Sequence, residues 1–375
     1  MLRAANLLLM IGCVAFALGC RQGEVTEGGR ATAPTSDAGE TATTDAGQPP
    51  PANGSSSGSG SGSSSGGGSS ECPPGPADFD AGPVTPTTAT GESVVTIASG
   101  QPTPYYLAIN QAGVYWLGNT VMMAPLDGGA PTTLSGVGNG GIAADSANVY
   151  FVGFPDVFEV PLDGGPGGSL GTGVTNDSIT VGASAVFGTY GNSGGMTLVA
   201  VPLDGSGTRT LAQTSAPSNC YGLASDSESV YWSNFAGSAP IMRTPIDGGP
   251  STVLAMGSIV FGVAVDATYV YWAETGSGNI WRVRKCGGPA TTVATGITGA
   301  NQIALDDKNL YVTTGLHDPS GGVARVAKDG SAVTYLATGF QQPWGIAVDD
   351  TSVYFTTVGP DGAQNAGSVV KVTPK

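Results

Sequence analysis

Histidine is almost absent from this chain, which contains one, His317, in 375 residues. Basic residues are also scarce: 13 lysines and arginines stand against 28 acidic residues, for a net charge of -15. A chain this acidic does not bind nucleic acid or anionic lipid through charge. A single histidine excludes zinc motifs that need two, such as His-Glu-x-x-His.

Long apolar runs are missing as well. The longest N-terminal run, Ala4 to Leu18, has 15 residues and is too short to cross a bilayer as an ordinary helix. With Arg3 before it, the run is typical of a signal peptide, residues 1–19. It ends Ala17-Leu18-Gly19-Cys20, which resembles a bacterial lipobox. The resemblance implies lipidation of Cys20 and a protein anchored to the bacterial cell envelope, periplasmic or surface-exposed; an ordinary secreted protein cut nearby is the alternative.

Apolar residues stay sparse up to residue 92. Residues 20–92 are rich in Gly, Ser, Pro and Thr, with an unbroken Gly/Ser run at 54–70. Such a composition cannot bury enough apolar surface to fold, so the sequence predicts a disordered tether with a reach of roughly 45 Å. It contains Cys72, for which a free thiol and an intermolecular disulfide both remain open.

What the chain does contain is a repeat. An apolar strand, which ends in Ala-x-Asp in five copies, is followed after a short turn by Val-Tyr-Trp or a variant, and this phrase occurs seven times. The copies centre on Tyr115, Tyr150, Val186, Tyr231, Tyr271, Tyr311 and Tyr354. A period near 40 residues with only strand and turn signals predicts an all-β fold, a β-propeller of four-stranded blades over residues 93–375. Seven blades are expected, with six as the alternative because the copy at Val186 is the weakest.

The two ends of the repeat region complement each other. The last copy stops after its third strand, at 368–373, while Ser93 to Ala98 resembles an isolated fourth strand. We expect this N-terminal strand to complete the final blade and close the ring. The Asp residues that end the first strands are expected to cap tight turns.

Short signatures within the repeat resemble known propellers. Tyr115-Trp116, Tyr231-Trp232 and Tyr271-Trp272 resemble the Tyr-Trp-Thr-Asp signature of YWTD propellers. Gly345-Ile346-Ala347-Val348-Asp349 with Val353-Tyr354-Phe355 resembles NHL repeats. Together with the lipobox, the chain resembles bacterial lipoproteins with a YWTD-, NHL- or TolB-like propeller. The resemblance implies binding of proteins or peptides, or lactonase or lyase activity.

The loops that converge on one face of a propeller form its mouth, the usual binding site. Aromatic and amide residues expected there are Trp344, Tyr106, Tyr221, Phe235, Asn234, Asn301 and Gln341. Aromatic faces and neutral amides suit a peptide, a protein or a glycan, so we expect a non-enzymatic, monomeric binding protein that needs no cofactor and has an envelope partner. The competing interpretation is that the amides satisfy turns and the aromatics pack between blades.

An enzymatic alternative rests on resemblance. Lactonase-type propellers hold a divalent ion, such as calcium, near the axis with a Glu, Asn and Asp set, which Glu274 and Asn301 resemble in part. Lyase-type propellers use a histidine with a metal, for which His317 is the sole candidate.

The remaining cysteines, Cys220 and Cys286, are placed on opposite faces by the repeat, so we expect two separate thiols.

Overall fold

The computed structural model describes residues 80, 82 and 84–375, except 164, 176–177, 193–194, 216–219, 234–237, 317, 361–362 and 364. These residues form 29 strands. Among the described residues, there is no helix long and apolar enough to cross a membrane. In chain order the strands are β1 Thr87–Thr88, β2 Ser93–Gln101, β3 Tyr106–Asn110, β4 Gly113–Leu117, β5 Val121–Ala124, β6 Thr132–Ser135, β7 Ile142–Ala144, β8 Asn148–Gly153, β9 Asp156–Pro161, β10 Gly168–Thr172, β11 Ile179–Val181, β12 Ala185–Asn192, β13 Gly195–Pro202, β14 Arg209–Thr214, β15 Gly222–Ser225, β16 Ser229–Ser233, β17 Ala239–Pro245, β18 Thr252–Gly257, β19 Val260–Val265, β20 Tyr269–Glu274, β21 Asn279–Arg284, β22 Thr291–Ala294, β23 Ile303–Leu305, β24 Asn309–Thr314, β25 Gly321–Ala327, β26 Val333–Phe340, β27 Pro343–Val348, β28 Val353–Thr357 and β29 Gly367–Thr373.

The strands form seven antiparallel blades. Blades 1 to 6 are β3–β6, β7–β10, β11–β14, β15–β18, β19–β22 and β23–β26, and blade 7 is β27, β28, β29 and β2. The first strand of each blade contacts the first strand of the next, and β27 contacts β3. The seven-bladed propeller is therefore confirmed, and the weak copy at Val186 forms a complete blade.

Ring closure also follows the sequence prediction. Strand β2 pairs antiparallel with β29, from Ser93 opposite Thr373 to Gln101 opposite Gly367. The closing strand is three residues longer than the sequence indicated. One strand was not foreseen: β1 pairs in parallel with β26 and adds a fifth strand to the outer edge of blade 6.

The repeated aromatic residues fill the space between blades. Tyr231, Tyr271 and Tyr354 are at most 1% exposed, as are Trp232 and Trp272. Their hydrophobic clusters combine residues of adjacent blades, for example Tyr271 of blade 5 with Leu310 of blade 6. The core is thus a ring of interfaces, and the repeated phrase is structural.

The aspartates that end the first strands cap turns, as the sequence predicts. In blade 5, Asp266 Oδ1 accepts hydrogen bonds from the amides of Thr268 and Tyr269, both at 2.8 Å. The second oxygen has a role that the sequence did not reveal, because Oδ2 accepts the hydroxyl of Tyr271 at 2.9 Å. The same three contacts recur at Asp145, Asp226, Asp306 and Asp349.

Lysines of the following blade join three of these aspartates. The pairs are Lys285 with Asp226 at 2.7 Å, Lys328 with Asp266 at 2.8 Å and Lys375 with Asp306 at 2.9 Å. We call them the lysine clasps. Burial raises the pKa of the three carboxyls, but the lysine and the turn amides outweigh it, so each pKa lies below its usual value. The lysine clasps therefore connect blades 4 to 7 through ion pairs between neighbouring blades.

In the other half of the ring, an apolar residue replaces the clasp lysine. Leu203 of blade 3 donates its amide to Ser184, as Lys285 does to Thr268, so the two hold corresponding positions. Leu203 packs in the cluster that contains Tyr150 of blade 2. Between blades 2 and 3, an apolar contact therefore stands where the clasps have an ion pair.

Candidate functional site

Three of the loops that enter the mouth share a strained backbone. Thr103, Ile259 and Gln342 have φ values of +42°, +52° and +48°, in the left-handed region that β-branched residues such as Thr and Ile rarely adopt. Each lies two residues before an aromatic side chain. These aromatics are Tyr105, Phe261 and Trp344. The same strained step therefore directs an aromatic residue to the mouth in blades 1, 5 and 7.

The aromatics meet in what we call the aromatic roof, made of Tyr105, Tyr221, Phe261 and Trp344. Trp344 contacts Tyr105 edge-on with ring centroids 5.2 Å apart, and Phe261 at 5.8 Å. Phe261 in turn stacks on Tyr221 at 5.0 Å. The contact from Trp344 to Phe261 thus joins blades 7 and 5, which blade 6 separates in the ring.

The roof leaves little ring surface for a ligand. Trp344 is 3% exposed and Tyr221 is 8% exposed. Stacking of a sugar or peptide on these two residues, as the sequence predicts, would require the roof to open. In the structure, both rings contact other rings of the roof.

A small cavity lies on the axis at the roof. Its volume is about 140 Å³, and residues at the start of the first strand of every blade line it. Tyr106 and Trp344 belong to the lining, together with the polar residues Ser178 and Gln302. The cavity has the size of a few water molecules.

Asn301 is fully buried in blade 6, close to the roof. Its Nδ2 donates to the carbonyl of Pro343 at 3.5 Å, while Oδ1 and the Nε1 of Trp344 are buried without a hydrogen-bond partner. Thr313 Oγ1 donates to the Trp344 carbonyl at 3.0 Å. Asn301 therefore helps to hold the entry of blade 7.

The predicted metal ligand Glu274 is already engaged by protein donors. Oε1 accepts the amide of Ser258 at 3.0 Å and the Nε1 of Trp272 at 3.4 Å, and Oε2 accepts Ser277 Oγ at 2.9 Å. The described residues contain no group of three or more His, Cys, Asp or Glu side chains able to hold a metal ion. Both carboxylate oxygens of Glu274 therefore have protein donors, and Asn301 Nδ2 donates to the Pro343 carbonyl.

An exposed apolar pair lies elsewhere on the mouth, between blades 1 and 2. Phe154, in the turn between β8 and β9, is 60% exposed, and Val137, between β6 and β7, is 55% exposed. Their loops are adjacent, since the amide of Asn139 donates to the carbonyl of Val152 at 3.0 Å, and a Cβ built on Gly153 would lie 3.7 Å from Val137 Cγ2. Asn139 Oδ1 accepts the Phe154 amide at 2.9 Å and fixes the turn. We call Val137 and Phe154 the mouth patch.

The other predicted residues are scattered. Gln341 is exposed in the loop before β27, and Tyr106 lines the axial cavity. Asn234, Phe235, His317, Cys20 and Cys72 lie outside the described residues. Sequence reasoning missed Phe261, Val137 and Phe154. Phe261 could have been found by aligning the entries of the first strands, where aromatics recur.

The two described cysteines do not pair with each other. Cys220 is free and buried, and its burial raises the pKa of its thiol to about 12 despite hydrogen bonds with Thr189 and nearby backbone. Cys286 is disulfide-bonded, so the prediction of two thiols was wrong for Cys286.

Comparison with known proteins shows the fold alone. No protein-family model matches the sequence, and no curated protein does. Similar solved structures include the WD40 propeller domain of Doa1, 15% identical over 76% of this chain and 97% of that chain, TM-score 0.58. A puromycin hydrolase S511A mutant complexed with PGG is 17% identical over 73% of this chain and 52% of that chain, TM-score 0.55. A nidogen/laminin complex, 19% identical over 52% of this chain and 89% of that chain, has a TM-score of 0.42. The chain is a β-propeller, a fold shared by binding proteins and enzymes.

Proposed function

We propose that this protein is a binding protein, anchored to the bacterial envelope through a lipid on Cys20, whose mouth patch binds a polypeptide. In this proposal residues 1–19 are removed as a signal peptide and residues 21–92 serve as the tether, whose end is held on the propeller at Thr87–Thr88. The observation that carries the binding function is the exposure of Val137 and Phe154 in two adjacent loops on the face where propeller ligands are usually bound.

The apolar surface of the mouth patch favours a polypeptide over a glycan as the ligand. A phenylalanine that is 60% exposed presents roughly 100 Å² of apolar surface, whose burial contributes about 2.5 kcal/mol. Val137 extends this surface. A partner with an apolar side chain gains this energy, whereas a hydroxyl-rich sugar gains less of it.

The patch is also preorganised. The hydrogen bond from the Phe154 amide to Asn139 holds the β8–β9 turn, and the Asn139 amide donates to the carbonyl of Val152 at 3.0 Å. A turn held at two points loses little freedom on binding. The roof, by contrast, would have to unpack its own rings.

A peptide array and a glycan array probed with the full chain test the proposal. The variants are Phe154→Ser and, as a matched control, Met256→Ser, because Met256 is 57% exposed on the outer strand of blade 4. We expect peptide binding that Phe154→Ser removes and Met256→Ser leaves intact. Binding to glycans alone, or peptide binding indifferent to Phe154, contradicts it. A stoichiometric divalent ion lost on Glu274→Gln would favour the enzymatic alternative.

A further inference from the structure

Every lysine and arginine of the propeller lies toward one face of the ring. In each blade the first-to-second and third-to-fourth turns lie on the face opposite the mouth, because successive strands are antiparallel. The three clasp lysines follow third strands and so lie at that face, Lys308 lies in the first turn of blade 6, and Arg209 begins a fourth strand. These are five of the ten lysines and arginines in residues 93–375.

The other five lie toward the ends of third strands, at the same face. Arg284 is the last residue of β21. The remaining four donate to backbone carbonyls of the next blade: Arg243 to Lys285 at 3.4 Å, Arg282 to Lys328 at 3.3 Å, Arg325 to Lys375 at 3.0 Å and Lys371 to Leu126 at 3.1 Å. Within the described residues, the mouth therefore contains no lysine or arginine.

A carboxylate stands next to the mouth patch. Asp156 is the first residue of β9 and pairs with Gly153 across the β8–β9 turn, the turn that carries Phe154. Asp156 is partly exposed, and none of the ion pairs among the described residues involves it. Because every lysine and arginine of the propeller lies toward the opposite face, no cation of the propeller balances this carboxylate.

We propose that the polypeptide bound at the mouth patch presents an apolar side chain next to a lysine or arginine, which pairs with Asp156. This inference rests on the proposed function. The apolar side chain covers Phe154 and Val137, and the ammonium or guanidinium group supplies the cation that the mouth lacks. A peptide with a glutamate or aspartate at that place brings a second anion to the site, where no lysine or arginine receives it.

Two effects of different range favour a basic peptide. The net charge of -15 attracts such a peptide from a distance and raises its association rate, an effect that salt screens beyond a Debye length of about 8–10 Å. The contact with Asp156 is local, and an ion pair near solvent changes the affinity by at most about fivefold. A change of charge at Asp156 therefore has to be compared with the same change on the opposite face.

Peptides that differ only in their charged residues test the inference. Each peptide carries one phenylalanine in a Gly/Ser host, flanked on both sides by lysine, by glutamine or by glutamate. Calorimetric titration against the full chain, at low and at high ionic strength, compares the wild type with Asp156→Asn and Phe154→Ser. Asp247→Asn is the matched control, because Asp247 is exposed in the third-to-fourth hairpin of blade 4 and its loss changes the net charge equally.

We expect the lysine peptide to bind about tenfold more tightly than the glutamate peptide at low ionic strength, and the difference to shrink at high ionic strength. Asp156→Asn should weaken binding of the lysine peptide about two- to fivefold and leave the glutamine peptide unchanged, whereas Asp247→Asn should change neither by more than about twofold.

The outcomes separate this inference from the proposed function. Equal affinities for the lysine and glutamate peptides, or equal effects of Asp156→Asn and Asp247→Asn, overturn the inference alone where Phe154→Ser still removes binding. Binding that is indifferent to Phe154, or no binding of any of these peptides, overturns the proposed function and this inference with it.

Discussion

The lysine clasps lead to a prediction that the structure defines closely, the replacement of Asp266 by asparagine. In the wild type one carboxylate oxygen caps the turn, and the other accepts Tyr271 and Lys328. Asparagine can keep the turn with its carbonyl oxygen. Its NH₂ group then faces a hydroxyl and an ammonium that both need an acceptor, so blades 5 and 6 lose their ionic contact.

The magnitude follows from burial. The side chain of Lys328 is 12% exposed and that of Asp266 is 21% exposed, so the cation left behind is only partly hydrated. Hydrogen bonds to charged groups contribute about 1.5–3 kcal/mol, and removing one partner of a fully buried pair costs about 3–5 kcal/mol. For this partly buried pair we expect a loss of about 2–3 kcal/mol in the free energy of unfolding, or roughly 5–10 °C in Tm.

Asp145 provides the matched control. It makes the same turn contacts, with the amides of Ala147 and Asn148 at 2.8 and 2.7 Å, and accepts Tyr150 at 2.8 Å. The clasp position opposite it is Leu203, not lysine. Asp145→Asn should therefore cost about 1 kcal/mol. Urea denaturation followed by tryptophan fluorescence measures both losses, and equal losses would refute the role of the lysine.

Further predictions concern pH and packing. The clasp carboxyls have a lowered pKa in the folded state. Their contribution to the free energy of unfolding is therefore present above the unfolded pKa of about 3.9 and is lost as the pH falls through the folded pKa. Urea titrations from pH 7 to 2.5 should show this loss of stability, and a flat profile would contradict it. Burial, with the neighbouring carboxylate, raises the pKa of Tyr150 to about 12. Because the unfolded phenol ionises near pH 10, the free energy of unfolding should fall from about pH 10 upward. Tm values measured at pH 9 and 11 would show this decrease. Trp344→Ala should lower the free energy of unfolding by about 3–5 kcal/mol, whereas Phe154→Ala, at an exposed position, should lower it by at most ~0.5 kcal/mol. Urea denaturation measures both losses, and similar values would mean that the aromatic roof is not a packed unit.

The sequence predicted the fold well because the fold reuses local chemistry. Five blades have an Asp at the first turn and all seven have apolar residues at their interfaces, so these features recur about every 40 residues. The strand that begins at Ser93 is recognisable as the fourth strand that the last copy lacks. The clasps could not be found this way. Lys328 lies 62 residues after Asp266, and the corresponding position in blade 3 is Leu203, so no repeated signal marks it.

The candidate site was harder to predict because it depends on what does not repeat. The sequence indicated aromatics at the mouth, but nothing in it showed that the Trp344 ring would pack against Tyr105 and Phe261. Phe154 looks ordinary in the sequence, and only its exposure makes it notable. Strand β1 is two threonines with no pattern of their own, and it forms because the edge of β26 is available.

Calorimetric titration of the strongest array peptide against wild type, Phe154→Ser and Met256→Ser tests the proposed function most directly. Removing the exposed ring should weaken binding about 10- to 70-fold, the equivalent of up to about 2.5 kcal/mol. Met256→Ser should leave the affinity within about twofold, because surface changes away from a contact have little effect. Equal affinity for all three proteins would contradict the account.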